Sequence, residues 1–133
     1  MPQFGLKTKE QIGPAAPVNL EAFPPLPWKL SGARVAQVTF EVDLDATLEL
    51  LPEQISRPVP PYARIIVASY SDTPLGPYAE ALLLLGSRFR MEPKNYVIAA
   101  VVTSEAARAA YEGLYGTPTS LGTVSLVRER NPA

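Results

Sequence analysis

The chain predicts a mostly β, α+β fold, and three features of the sequence carry that expectation. Its 15 prolines among 133 residues fall largely before residue 80, a distribution that argues against a helical bundle. From Ala33 onward apolar and polar residues alternate. Arg34, Ala36, Val38, Phe40 and Val42 share one side, and Val35, Gln37, Thr39 and Glu41 the other, as in a strand with one buried face. Farther on, Tyr62 to Tyr70, Tyr78 to Phe89 and Tyr96 to Val102 carry apolar residues on both faces, which suits strands of a barrel or a sandwiched sheet.

In order along the chain, residues 1 to 32 hold Pro14, Pro17, Pro24, Pro25 and Pro27 and read as an extended arm that docks through Phe23, Leu26 and Trp28. Residues 33 to 133 form a single β-rich domain. After its first strand, Asp43 or Asp45 caps a short helix that carries Leu48 and Leu51 and stops at Pro52. A proline-rich connection over 52 to 61 leads to the second strand. The run Asp72-Thr73-Pro74-Leu75-Gly76-Pro77 is a turn, its prolines fixing φ and its glycine admitting a positive φ. Lys94 falls in a Pro-Lys-Asn turn before the fourth strand. Thr103 or Ser104 then caps a helix with Glu105 in its first turn and Ala106, Ala110 and Leu114 on its apolar face; Gly116 and Pro118 end it. Val124, Leu126 and Arg128 are expected to begin a fifth strand. No internal repeat is visible.

Composition narrows the function. The length fits one domain. Twelve basic and 13 acidic side chains leave a net charge of −1, so no global field favours nucleic acid or an anionic membrane. Without cysteine or histidine there are no disulfides, no thiolate nucleophiles, no Ser-His pairs and none of the usual zinc sets. We expect no metal and no cofactor, and any catalysis must use carboxylates, Lys, Arg, Tyr, Ser, Thr or backbone groups. The longest apolar run, Ala79 to Gly86, is broken by Glu80 and far shorter than the ~20 residues of a membrane helix. No signal-peptide core is seen around Phe4 and Leu6, so a cytoplasmic location is expected.

Four stretches in order then point to a family. They are Phe23-Pro24; Asp43-Leu44-Asp45-Ala46 leading to Leu51-Pro52-Glu53; the turn from Asp72 to Glu80; and Val102-Thr103-Ser104-Glu105-Ala106-Ala107 leading to Gly116-Thr117-Pro118. Their order and spacing resemble acetoacetate decarboxylase and its superfamily over roughly residues 20 to 126, corresponding to about the N-terminal half of a usual member. The resemblance implies an acetoacetate-decarboxylase-like antiparallel β-barrel, or half-barrel, with two short helices around an apolar pocket. In that pocket a lysine forms a Schiff base with a β-keto acid and the iminium accepts the electrons released with carbon dioxide. Such a lysine must be neutral near pH 7 although its ordinary pKa is about 10.4, which requires desolvation or a cationic neighbour.

The resemblance places that family's paired lysines directly after Pro118, where this chain has Thr119 and Ser120. A hydroxyl cannot form an imine. A substitute would have to be Lys7, Lys9, Lys29 or Lys94, each of which also reads as a solvated surface residue. The family's glutamate after the Pro-Tyr turn is kept as Glu80, which is either a pocket carboxylate or a rim residue at the start of a strand. The family's pocket arginine falls on Ala33, with Arg34 adjacent, and its second pocket glutamate falls near Ile66. Arg34 on its apolar strand face is a candidate cation for a ligand carboxylate, or the partner of Glu41 or Glu80 in an edge salt bridge. Tyr70, Tyr78 and Tyr115 are candidate hydrogen-bond donors to a carbonyl, or packing residues.

These residues define two expectations. One is a divergent acetoacetate-decarboxylase-like protein that binds a keto acid or polyketide-like compound without the imine lysine. In it Glu80 acts as the catalytic base of an aldol, dehydration or cyclisation step, Arg34 anchors the anion, and Thr119 and Ser120 make polar contacts. The other is a non-catalytic subunit that completes its barrel by homo-oligomerisation.

Overall fold

The computed structural model describes residues 3–12 and 22–127. Its elements in chain order are α1 (Lys9–Ile12), β1 (Arg34–Glu41), α2 (Leu44–Leu50), β2 (Tyr62–Tyr70), β3 (Tyr78–Phe89), β4 (Glu92–Val102), α3 (Glu105–Tyr115) and β5 (Thr119–Leu121). The strands form one five-stranded sheet in sequence order, β1 to β4 antiparallel and β5 parallel to β4. A parallel neighbour demands a crossover, which α3 supplies. Among the described residues the sheet is open, with β1 at one edge and the three-residue β5 at the other. It is therefore a half-barrel in the α+β class.

Each helix sits where its cap directs. Asp43 accepts the Ala46 N–H and starts α2, and Leu51 ends it just before Pro52. Ser104 accepts the Ala107 N–H and starts α3; Gly116 closes it at φ 64°, a left-handed conformation that glycine enters without steric cost. Gly76 adopts φ 85° in the turn before β3, as the turn chemistry requires.

The two faces of the sheet carry different covers. On one, the α2 face, Leu51 is fully buried against Ala63 and Leu85, with Val42, Ile55, Leu83, Tyr96 and Ile98 around it. A β-bulge shapes this face: Ala99 opposes Leu83 and Val97 opposes Leu84, leaving Ile98 as the extra residue that turns into the cluster. A cleft of about 210 Å³ remains between α2 and the sheet, lined mostly by apolar side chains, Phe40, Leu50 and Leu83 among them, with Thr47. The other, the α3 face, is covered by α3, which packs Ala107 against Tyr78 and Val102. Among the described residues no helix is long and apolar enough to cross a membrane.

Five local expectations are corrected. All eight residues of β1 are exposed, Val38 by 61%, so its apolar side is not buried: the strand lies at the sheet edge, and only Phe40 borders the cleft under α2. β4 starts at Glu92, which moves Lys94 from a turn into a strand; the chain reverses instead at Arg90 and Met91, Arg90 having φ 57°. Pro93 is tolerated because β5 pairs only with Ala100 to Val102, leaving one side of β4 free there. The buried side of α3 is Ala107, Ala110 and Leu114, with Ala106 exposed. The fifth strand is Thr119–Leu121 and not the segment from Val124, since its register with β4 is fixed beside Ala100, Val101 and Val102; Arg128 lies outside the described residues. Of the proposed arm contacts, Trp28 meets the edge of Tyr115 and donates its Nε1–H to the Pro24 carbonyl, while Leu26 is exposed.

Candidate functional site

Strand register decides which side chains can meet. Ala68 and Val102 both lie opposite Glu80, and Tyr70 lies opposite Tyr78, so Tyr70, Tyr78, Glu80 and Val102 share the α3 face. On α3, Tyr111 follows Ala107 by four residues and therefore points at the sheet with it.

The result is a buried carboxylate held by phenols. Glu80 is only 5% exposed. Tyr70 donates its hydroxyl to Glu80 Oε1 at 2.7 Å, and Tyr111 donates to Glu80 Oε2. The Tyr78 and Tyr111 hydroxyls are 3.0 Å apart. Each carboxylate oxygen thus has a donor, and among the described residues no buried side-chain polar atom lacks a partner, which makes the burial of Glu80 tolerable. The rings run on as a chain: Tyr70–Tyr78, Tyr78–Tyr111, Tyr111–Tyr115 and Tyr115–Trp28, at centroid distances of 5.2, 6.1, 6.0 and 6.4 Å. Burial, and then the hydrogen bond to Glu80, push the Tyr70 and Tyr111 phenols well above the ordinary tyrosine value; burial raises Tyr78 as well. All three are held as O–H donors at neutral pH.

The other sequence candidates divide between the faces. Thr119 pairs with Ala100, which lies opposite Leu82, so it is on the α3 face; it is buried and donates its hydroxyl to the Thr117 carbonyl at 2.8 Å. Ser120 is exposed and one step out of phase, on the α2 face. Arg34 lies opposite Ser69, one residue out of phase with Tyr70, and is also on the α2 face, exposed. Arg34 and Glu80 therefore do not look onto a common space, and among the described residues Arg34 pairs with neither Glu80 nor Glu41. Tyr115 is 55% exposed at the outer end of the aromatic chain. Of the lysines, Lys94 lies opposite Ser87 on the α2 face in an exposed ion pair with Glu92, and Lys9 and Lys29 are exposed. Lys7 belongs to the segment bridged to Pro52.

The positions expected to carry pocket groups nevertheless converge. Ile66 opposes Leu82, so Ile66, Glu80 and Thr119 all belong to the α3 face, whereas Ala33 precedes the paired residues of β1. Only Glu80 among them is ionisable.

Two residues on this face were missed. Tyr111 belongs to the same helical stripe as Ala107 and Leu114, and correct phasing of that stripe would have found it. Arg64, opposite Leu84 on β2, donates Nε–H to Thr39 Oγ1 at 3.1 Å, beyond the reach of any motif in the sequence. Among the described residues no cluster of carboxylates suits a metal ion.

The chain resembles known proteins along most of its length. The sequence profile of the family described as acetoacetate decarboxylase (ADC) matches residues 13–132. An acetoacetate decarboxylase of Chromobacterium violaceum is 26% identical over 108 residues, 81% of this chain and 44% of that protein. The crystal structure of acetoacetate decarboxylase from Legionella pneumophila superposes with a TM-score of 0.75 at 22% identity, covering 86% of this chain and 46% of its own. The enduracididine biosynthesis enzyme MppR, solved with pyruvate, superposes with a TM-score of 0.62 at 22% identity, covering 80% of this chain and 47% of its own. The chain thus spans about half the length of these relatives.

Proposed function

The chain belongs to the acetoacetate decarboxylase family, and from that premise we propose that it binds a small keto acid or polyketide-like compound on the α3 face without an imine-forming lysine. The observation that carries this reading is the hydrogen bonding of Glu80, a buried carboxylate with one phenol on each oxygen, on the same face as Ile66 and Thr119. Thr119 and Ser120 stand where the imine chemistry needs its lysines, and neither hydroxyl can replace an amine.

What remains on the face is a proton acceptor beside proton donors. When a ligand carbonyl displaces one phenol from Glu80, that phenol is free to donate to the carbonyl oxygen, where negative charge grows in an enolisation. The released carboxylate oxygen is then free to take a proton from the neighbouring carbon. This is the pairing that an aldol, dehydration or cyclisation step uses. Glu80 is the acceptor, Tyr70, Tyr78 and Tyr111 are the donors, and Thr119 forms part of the wall.

Native mass spectrometry with acetoacetate and a panel of β-keto and polyketide-like acids, with and without borohydride, tests the reading. Retained ligand without a reducible covalent adduct is the expected result. A borohydride-trapped adduct on Lys7, Lys9, Lys29 or Lys94 would overturn it in favour of imine chemistry. Unchanged binding in Glu80→Gln would remove Glu80 from the site.

A second reading has its own observation: the uniformly exposed β1 edge favours a non-catalytic subunit that completes its sheet with another copy of the chain. Sedimentation at micromolar concentration distinguishes it, since a soluble folded monomer speaks against it.

A further inference from the structure

Arg34 was the sequence candidate for an anion anchor, and it lies on the α2 face, away from Glu80. A different arginine occupies the α3 face. Arg64 shares its side of β2 with Tyr62, Ile66, Ala68 and Tyr70, and its partner Leu84 shares a side of β3 with Glu80 and Leu82. Its Nε–H bond to Thr39 Oγ1, an exposed bond across the strand pair, directs the guanidinium along this face. The bond uses the inner nitrogen and leaves the two outer ones as a fork. Glu41, two residues from Thr39 on the same side of β1, forms no ion pair with it among the described residues.

The floor between Arg64 and Glu80 is apolar. Ile66 and Leu82 oppose each other and are half-buried, and Leu84 is buried. Beyond Arg64, Tyr62 closes the far end: its ring lies over Gly86, where a Cβ would overlap it at 2.3 Å, and its hydroxyl reaches Asn95. The α3 face therefore presents a cation near one end, an aliphatic middle and a phenol–carboxylate cluster at the other. Arg64 and Ala68, which opposes Glu80, are four residues apart on β2, so the two polar ends are separated by about 13 Å of strand, shortened by the side chains that lean between them.

We propose that Arg64 is the carboxylate anchor of this site, and that its ligands are elongated organic acids with a carbonyl or hydroxyl group about six carbons from the carboxylate. A planar guanidinium whose Nε is hydrogen-bonded and whose two outer nitrogens are free suits bidentate capture of a carboxylate, whereas an ammonium does not. The aliphatic body of the ligand lies across Ile66 and Leu82, and its far oxygen meets the hydroxyls around Glu80. The inference rests on the proposed small-molecule site and adds its specificity.

The test is calorimetric titration of the protein with 7-oxooctanoate and with its methyl ester, repeated in Arg64→Gln and Arg64→Lys. The acid is expected to bind at least tenfold more tightly than the ester. Arg64→Gln is expected to abolish that preference while leaving ester affinity unchanged, which also shows that the variant is folded; Arg64→Lys is expected to restore only part of it. Equal affinity for acid and ester in the unmodified protein would overturn the assignment of Arg64 and leave the Glu80 site standing. A preference that survives Arg64→Gln would overturn it too. If neither compound nor any member of the keto-acid panel binds, the small-molecule site itself falls and the anchor with it.

Discussion

On the α2 face Leu51 is sealed among Ala63 and Leu85, and the buried Thr47 hydroxyl beside them is satisfied within its own helix by the Asp43 carbonyl; on the α3 face the same strand β3, one residue out of phase, buries the carboxylate of Glu80. The first arrangement is stabilised by removing apolar surface from water and tolerates imprecise geometry. The second exists only because each Glu80 oxygen meets a phenol, and it depends on the placement of Tyr70 and Tyr111. Two faces a strand's width apart thus rest on different physics: one is a packing core, and the other is a polar network with chemistry available to it.

The largest effect should come from the packing side. Leu51→Ala removes a fully buried side chain and is expected to cost about 2–5 kcal/mol in denaturant unfolding. Tyr96 packs in the Leu51 cluster, so the comparison is made in a Tyr96→Phe background. If the two faces are independent in their chemistry, the folded variant should there retain the alkaline tyrosine titration of its parent, and a changed titration would show that they are coupled.

Tyr111→Phe attacks the other face. It keeps the ring contacts and removes one donor from a buried carboxylate, with an expected loss of about 1–3 kcal/mol. The same network makes a prediction in alkali. The Tyr70, Tyr78 and Tyr111 phenols are raised in the folded protein, so their contribution is fully present below the free tyrosine value near 10 and is lost as pH climbs above it, because the unfolded chain releases those protons first. Absorbance at the phenolate band should therefore rise for these groups together with the loss of native circular dichroism. Phenolate formation that runs well ahead of unfolding would contradict the network. The smallest effect is a helix-level one: Ser104→Ala removes the cap of α3 and should lower stability by about 1 kcal/mol, with Tyr111 still near Glu80.

Much of the fold was legible in the sequence where local rules act alone. β2 and β3 begin and end where their apolar runs do, and the caps of α2 and α3 fall on residues whose side chains can accept a backbone N–H. The failures lie where a neighbour decides. β1 has the alternation of a half-buried strand yet stays exposed, because alternation shows that a strand has two different sides and not that anything covers one of them. β5 is Thr119–Leu121, a segment with little strand character of its own, because three residues of β4 offer it backbone partners.

The candidate site divides in the same way. Glu80 was singled out through the family resemblance, and Tyr70 and Tyr78 as candidate hydrogen-bond donors, but Tyr111 and Arg64 were not found. Sequence by itself determined which residues share a side within each strand or helix, since that follows from periods of 2.0 and 3.6 along a single element. Only the tertiary structure decided which side of β1 matches which side of β3, and that α3 lies over Glu80. Those relations are fixed by hydrogen-bonded register and packing between distant segments, where a shift of one residue carries Arg34 to the face opposite Glu80.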